Sequence, residues 1–142
     1  MIIPDVNLLI CAYDQRSGFH ERARRWWEKS LSGDELIGLP WVACLGFLRL
    51  ITNPRIFESP MPVRMATGIV QSWLGRPQVQ VVQAGSAHAN ILFRLLNELG
   101  TAANLTTDAH LAALAIEYQA ILYTTDTDFA RFTGLRWTNP LA

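Results

Sequence analysis

Four aspartates are the residues of this chain whose type and position are best suited to chemistry. Asp5 ends the first apolar run, Asp108 opens a helical pattern, and Asp126 and Asp128 follow the apolar run at residues 120–123. In an open parallel sheet the carboxyl ends of the strands share one edge and helices begin beside them, so acids far apart in sequence can meet in one cleft. Clustered carboxylates suit a hard divalent cation, which prefers oxygen ligands.

Each aspartate also has an ordinary structural explanation. Asp5 and Asp108 could cap the helices that follow them, and residues 126–128 could form an Asx turn, and a cap of this kind contributes about 1 kcal/mol. Taken together, these four of the six aspartates occupy three element boundaries that a β–α topology brings to one edge. Like charges this close repel unless a cation neutralises them or some are protonated. We therefore expect a functional acidic cleft.

The length and composition predict a single domain that spans residues 1–142. A chain of this size buries roughly 68–70% of its unfolded surface, and 50% of its residues are hydrophobic. The net charge is zero, so the total charge does not require a nucleic-acid partner. Eleven of the twelve basic residues are arginine, the side chain better suited to bidentate phosphate contacts, and they cluster in residues 16–29 and 49–76.

Neither the cysteines nor the apolar runs point to an export route. Cys11 and Cys44 show no metal-ligand spacing and lie in apolar surroundings, so we expect buried, reduced thiols. Asp5 and Asn7 interrupt any secretory apolar core, and no run approaches the roughly 18–20 residues of a membrane span. These features predict a cytoplasmic protein without membrane contact.

Strand and helix patterns alternate along the chain. Apolar runs predict strands at residues 1–5, 35–39, 79–82 and 121–124, with a short edge strand near 136–137. Helices are expected at 7–13, 19–31, 40–51, from 62 to just before Gly75, 86–99 and 108–118, with Ser17 and Ser86 as caps. Such spacing implies right-handed crossovers and an α/β fold: a parallel sheet of four to five strands flanked by helices on both faces.

Four segments in this order carry a resemblance to a known family. They are residues 1–9, residues 39–42 together with 47–55, residues 104–115, and residues 123–132. They resemble PIN-domain ribonucleases, and most of all the VapC toxins, over essentially the whole chain. The resemblance implies a single PIN-like domain and a Mg²⁺- or Mn²⁺-dependent endoribonuclease. It also implies a homodimeric toxin of a type II toxin–antitoxin pair that a VapB-type antitoxin holds inactive.

By the same resemblance, Asp5, Asp108 and Asp126 match the family's metal-site acids, and Asn7 matches a polar residue that supports the first of them. Two hydroxyl residues flank this site and could orient a carboxylate or a water, although both also suit a strand end; they are Thr107 and Thr124. Carboxylate-bound Mg²⁺ can activate water and stabilise phosphoryl charge, so the residue types fit phosphodiester hydrolysis.

The sequence departs from the family pattern in the helix after the second strand. PIN nucleases usually carry another acid roughly where Gly46 stands, yet residues 40–51 contain no acid. Similar toxins with the same Gly-Phe-Leu-Arg-Leu pattern share this absence. Asp128 could replace the missing acid, and it could equally be a cap for a short helix near Phe129. We therefore include Asp128 among the candidate catalytic residues.

Other functions fit the sequence less well. His20, His88 and His110 are predicted on three different helices without zinc-ligand spacing, so no catalysis is assigned to them. The main alternative is a catalytically inactive PIN-like module that binds RNA or protein. A phosphohydrolase is a more distant alternative, since residues 5–7 lack the Asp-x-Asp nucleophile pattern of haloacid-dehalogenase-like enzymes.

Overall fold

The computed structural model describes residues 1–142 as one α/β domain built on a five-stranded parallel sheet. The strands are β1 (Ile2–Pro4), β2 (Ile37–Pro40), β3 (Val79–Val82), β4 (Ile121–Tyr123) and β5 (Trp137–Thr138). The helices are α1 (Val6–Tyr13), α2 (His20–Ser32), α3 (Trp41–Ile51), α4 (Val63–Leu74), α5 (His88–Leu99) and α6 (Thr106–Glu117). Two short 3₁₀ helices, Ala103–Leu105 and Thr127–Arg131, complete the fold.

The order of the strands creates a crevice in the middle of the sheet. The order is β3-β2-β1-β4-β5, and all neighbouring strands are parallel. The chain therefore builds outward from β1 through β2 to β3, and then returns to the other side of β1 with β4 and β5. In open parallel sheets, ligands bind at the carboxyl ends of the strands where the order reverses. In this chain that position lies between β1 and β4.

Apolar side chains cover both faces of the sheet, as the predicted three-layer fold requires. Successive residues of a strand point to opposite faces, so Ile2 joins the core beneath α1–α4 while Ile3 joins the core beneath α5 and α6. The first core contains the aromatic cluster of Trp27, Phe47 and Trp73, whose rings pack edge to face. No helix in the structure is both long and apolar enough to cross a bilayer.

The predicted elements are present, and their differences lie at the ends. The predicted cap Ser86 is not used, because α5 begins at His88 without a side-chain cap. Asp108 does not cap α6 either, because the helix starts at Thr106 and Asp108 lies in its first turn. The C-terminal end of α5 is fixed by Gly100, whose φ of 75° lies in the left-handed region that glycine adopts without strain.

The two cysteines have different surroundings, although both are free thiols. Cys44 lies in the first core, as predicted. There, burial raises the pKa of its thiol to about 11, which keeps it protonated and unreactive. Cys11 is only partly buried, so the prediction of full burial holds for one cysteine of the two.

Candidate active site

Asp5 stands at the carboxyl end of the central strand and is almost completely buried. The backbone N–H of Asp5 donates to the Tyr123 carbonyl at 2.9 Å, which extends the pairing of β1 with β4 by one residue. This register sets Asp5 beside Thr124, whose hydroxyl donates to Asp5 Oδ2 at 2.8 Å. The other carboxylate oxygen accepts from the backbone N–H of Val6 at 2.7 Å, at the start of α1. Two bonds thus fix the orientation of the Asp5 carboxylate.

Thr124 links the ends of the two central strands. Its side chain has no exposed surface, and its hydroxyl oxygen also accepts from the backbone N–H of Asp126 at 3.0 Å. The Asp126 carboxylate in turn caps the following 3₁₀ helix by accepting from the N–H of Asp128 at 2.9 Å. The predicted Asx turn at residues 126–128 is therefore present. The helix cap is Asp126, not Asp128, because the helix begins at Thr127.

One cleft at this edge of the sheet brings together most of the predicted site. Its volume is about 510 Å³. The three predicted metal-site acids line it, together with Asn7 and Thr107. The rest of the wall is one arginine, one glycine and six apolar residues: Arg49, Gly46, Val6, Val42, Ala43, Leu45, Leu50 and Leu111. The chain therefore surrounds a carboxylate cluster with a mostly apolar wall.

Burial and mutual repulsion disfavour the ionised carboxylates in this cleft. Burial is the main reason why the pKa of Asp5 is raised from 3.8 to about 6, with smaller contributions from the charges of Asp108 and Asp126. The bonds from Thr124 and Val6 act in the opposite direction. The pKa of Asp108 is also raised, first by burial and then by the charges of Asp126 and Asp128. A bound cation would relieve both effects.

The donor set fits a hydrated hard cation better than a closed protein cage. No three His, Cys, Asp or Glu side chains lie close enough together to enclose a metal by themselves. Mg²⁺ usually keeps several waters and binds through one or two carboxylates plus substrate phosphates. Two carboxylates with raised pKa values, one of them held by two hydrogen bonds, match that mode of binding.

Asp128 stands apart from the other candidate acids. Its side chain is exposed and does not line the cleft, and its carboxylate lies 3.9 Å from the Arg131 guanidinium. Its charge nevertheless contributes to the raised pKa of Asp108. The hypothesis that Asp128 assists catalysis therefore depends on its charge at the rim.

Gly46 has a packing reason to be glycine. A Cβ atom at this position would lie 2.8 Å from Val6 Cγ2, closer than real contacts of this kind. Helices α1 and α3 therefore pack closely at the cleft wall, and a larger residue at position 46 would require the Val6 side chain to shift. This contact gives a physical reason for glycine at the position where the family pattern has an acid.

The comparison with protein families covers nearly the whole α/β domain. The signature of the family described as PIN domain matches residues 2–135. The chain belongs to the PIN-domain family. Two curated relatives from Mycobacterium tuberculosis narrow this further. Ribonuclease VapC33 is 47% identical over 141 residues, with 99% of both chains covered. Ribonuclease VapC37 is 43% identical over 142 residues, covering 100% of this chain and 99% of the relative. Within the family, this PIN domain therefore groups with the VapC ribonucleases.

Solved structures share the fold of this PIN domain. VapBC2 from Rickettsia felis, bound to a DNA fragment from its promoter, matches with a TM-score of 0.70 at 16% identity, over 98% of each chain. VapC20 from M. tuberculosis, described as a Sarcin-Ricin loop cleaving toxin, matches with a TM-score of 0.69 at 17% identity, over 96% of this chain and 99% of that one. At these identities the likeness concerns the fold, and it confirms the predicted PIN architecture.

A second polar cluster of this PIN domain lies outside the cleft. His88 Nε2 and His110 Nδ1 are 2.9 Å apart, and His88 Nδ1 lies 3.5 Å from Glu117 Oε1, which accepts from the backbone N–H of Gly85. This cluster joins α5 to α6. Sequence reasoning put the histidines on separate helices, which is correct, but it gave no sign that two of them meet.

Proposed function

We propose that this PIN domain is a divalent-metal-dependent endoribonuclease and the toxin of a VapBC-type toxin–antitoxin pair. The observation that carries the proposal is the convergence of Asp5, Asp108 and Asp126 on one cleft at the β1–β4 crevice. The 47% identity to a VapC ribonuclease over nearly the full length supports the reaction class. No observation favours the inactive binding module. Such a module would not need the three acids, yet all three line one cleft.

In this proposal Asp5, Asp108 and Asp126 would hold hydrated Mg²⁺ or Mn²⁺, in part through waters that the ion keeps, and the ion would supply an activated water and neutralise phosphoryl charge. The protein contributes orientation and a partly dry environment. Thr124 fixes one oxygen of Asp5 and the backbone of Asp126, so the two strand ends keep a constant distance. The apolar wall of the cleft lowers the local dielectric and strengthens the attraction between carboxylate and cation.

The remaining polar residues have supporting roles. Asn7 is exposed on the first turn of α1 and lines the cleft, so its amide can bond to a water or to substrate. Thr107 lies one residue before Asp108 on the same wall and offers a hydroxyl. Asp128 adds negative charge at the rim, which favours cation binding at Asp108. These roles make Asn7 and Thr107 positioning residues and Asp128 an electrostatic one.

The cleavage experiment compares purified wild type with Asp108→Asn on a labelled RNA, with and without EDTA. The variant and the chelator should each abolish cleavage, because each removes metal-binding capacity while the fold is retained. Asp34→Asn is the matched control, because Asp34 is exposed and outside the cleft. Cleavage that continues unchanged in EDTA and in the Asp108 variant would exclude the metal mechanism.

We further propose a VapB-type antitoxin as partner and a homodimer as the active assembly. The relative from Rickettsia felis was solved as a VapBC2 complex, and the family's pairing supports the same for this chain. Two exposed apolar residues on α3, Trp41 and Leu45, offer contact surface beside the cleft. Co-expression with the product of the neighbouring antitoxin gene should restore growth and yield a stable complex. Equal toxicity with and without that gene product would count against the pairing.

A further inference from the structure

Arg49 is the one basic residue among those that line the acidic cleft. It lies in the last turn of α3 and is exposed. Arg49 therefore borders the same cleft as Asp5, Asp108 and Asp126, although sequence reasoning gave it no role. Its charge is not among those that shift the pKa values of Asp5 and Asp108, so the guanidinium lies on the cleft wall at a distance from these carboxylates.

Arg49 makes no ion pair and no side-chain hydrogen bond with any of them. Most other arginines are engaged: five form ion pairs with acids, and two donate to backbone carbonyls; they are Arg16, Arg24, Arg25, Arg94, Arg131, Arg22 and Arg136. The wall of the acidic cleft thus carries an unpaired guanidinium. Such an arrangement suits an anionic ligand with two negative groups, one bound by the proposed metal and the other by the Arg49 guanidinium.

We propose that Arg49 binds a phosphate of the RNA strand next to the phosphodiester held over the acids. The proposal rests on the proposed ribonuclease function and assigns it a substrate-positioning residue. Three carboxylates repel a polyanion, and the metal they hold offsets only part of that charge. A planar guanidinium can bind phosphate oxygens through two parallel N–H bonds, so it both attracts the strand and fixes its register.

The apolar neighbours of Arg49 favour this role. Leu45 and Leu50 line the cleft beside it and cannot compete for phosphate oxygens. Gly46, one helical turn before Arg49, leaves the wall open where an acidic side chain would otherwise neutralise the guanidinium. The glycine that packs against Val6 therefore also leaves Arg49 without an acidic neighbour at position 46.

The test measures RNA binding apart from cleavage. A fluorescein-labelled single-stranded 12-mer RNA is titrated with protein that carries Asp108→Asn, in Mg²⁺, at several salt concentrations. Adding Arg49→Gln should weaken binding about ten-fold or more, as expected for loss of a charged hydrogen bond. It should also reduce the slope of log K against log salt by about 0.7, the value for one phosphate contact on a single strand. Arg49→Lys should keep that slope and lose part of the affinity.

The matched control is Arg76→Gln. Arg76 is exposed and without a side-chain partner, and it lies between α4 and β3 at the opposite edge of the sheet. In otherwise wild-type protein, Arg49→Gln should raise the half-saturating concentration in single-turnover cleavage, with Mn²⁺ affinity and melting temperature unchanged. Binding and cleavage equal to those of Arg76→Gln would overturn the assignment, as would a fall in Mn²⁺ affinity or melting temperature that accounts for the loss. If wild type neither binds nor cleaves RNA, the proposed function itself fails.

Discussion

Asp5→Asn should stabilise this protein while it abolishes cleavage. Burial raises the pKa of Asp5 from 3.8 to about 6, so the folded protein holds that proton more tightly than the unfolded chain. Below about pH 4 the carboxyl is protonated in both states and has no net effect. As pH rises from about 4 to about 6, Asp5 ionises in the unfolded chain before it ionises in the folded protein, so the free energy of unfolding falls. Above about pH 6 this loss of stability is complete and stays constant.

The loss of stability caused by the ionised Asp5 carboxylate can be calculated from the same pKa values. At about 1.36 kcal/mol per pH unit, the rise to about 6 corresponds to an upper bound of about 3 kcal/mol. Asparagine is neutral, but its amide has a single oxygen, so it cannot accept from the Val6 N–H at one position and from the Thr124 hydroxyl at the other, and part of the gain is lost. A net gain of about 1–2 kcal/mol at pH 8 would raise the melting temperature by roughly 3–8 °C.

The assay is thermal and urea unfolding of both proteins in EDTA between pH 4.5 and 8. The stability difference should widen as pH rises to about 6.5 and then stay constant. Mg²⁺ should reduce the stability difference between variant and wild type at pH 8, because the ion stabilises the wild-type carboxylate. Asp34→Asn, an exposed aspartate, should show no such trend. A wild type that is as stable as the variant at pH 8, or a difference equal at both ends of the range, would refute the reasoning.

Three further predictions concern the groups around the acidic cleft. Thr124→Val should destabilise the fold by about 1–3 kcal/mol and lower turnover, because it leaves the buried Asp5 Oδ2 and the Asp126 N–H without their partner. Thr124→Ser keeps the hydroxyl and should restore most of the stability and most of the turnover in the same unfolding and cleavage assays. Asp126→Asn should lower turnover strongly, because it removes one of the three carboxylates from the cleft, and Asp128→Asn should lower it less, since Asp128 does not line the cleft. Equal losses of turnover would show that Asp128 acts in the reaction. Gly46→Ala should cost about 1–3 kcal/mol in urea unfolding, because its Cβ meets Val6 at 2.8 Å, and unchanged stability would show that the two helices yield freely.

Much of the fold could be predicted because it follows from local patterns. Short apolar runs and helical periodicity gave five strands and six helices in the right order, and β3 was predicted with its observed bounds. Helix starts were harder, since α6 begins two residues before Asp108 on residues without a capping side chain. The 3₁₀ helix Ala103–Leu105 runs directly into α6, so the start of α6 carries no capping residue that the sequence could reveal.

The acids could be predicted because strand ends in a parallel sheet converge by topology alone. Asp5 follows β1 and Asp126 follows β4, and these two strands are neighbours in the sheet. The strand order alone therefore brings the two acids to the same edge. The role of Arg49 could not be predicted in this way. It depends on which face of α3 borders the cleft and on which other arginines find partners, and both are settled by side-chain packing.

Gly46 forms one packing contact that bears both on the acidic cleft and on its surroundings. The Cβ that any other residue would carry meets Val6, which lies directly after Asp5 and whose N–H bonds its carboxylate. If admitting a larger residue at position 46 moved α1, it would also move the N–H that orients Asp5, the first acid of the proposed metal site. The chain keeps α1 and α3 close, and the proposed site has three carboxylates, with the unpaired Arg49 one turn further along α3. A smaller residue at position 6 is the change that would let position 46 carry an acid, so we expect Val6→Ala to reduce the destabilisation caused by Gly46→Ala in a double-mutant cycle.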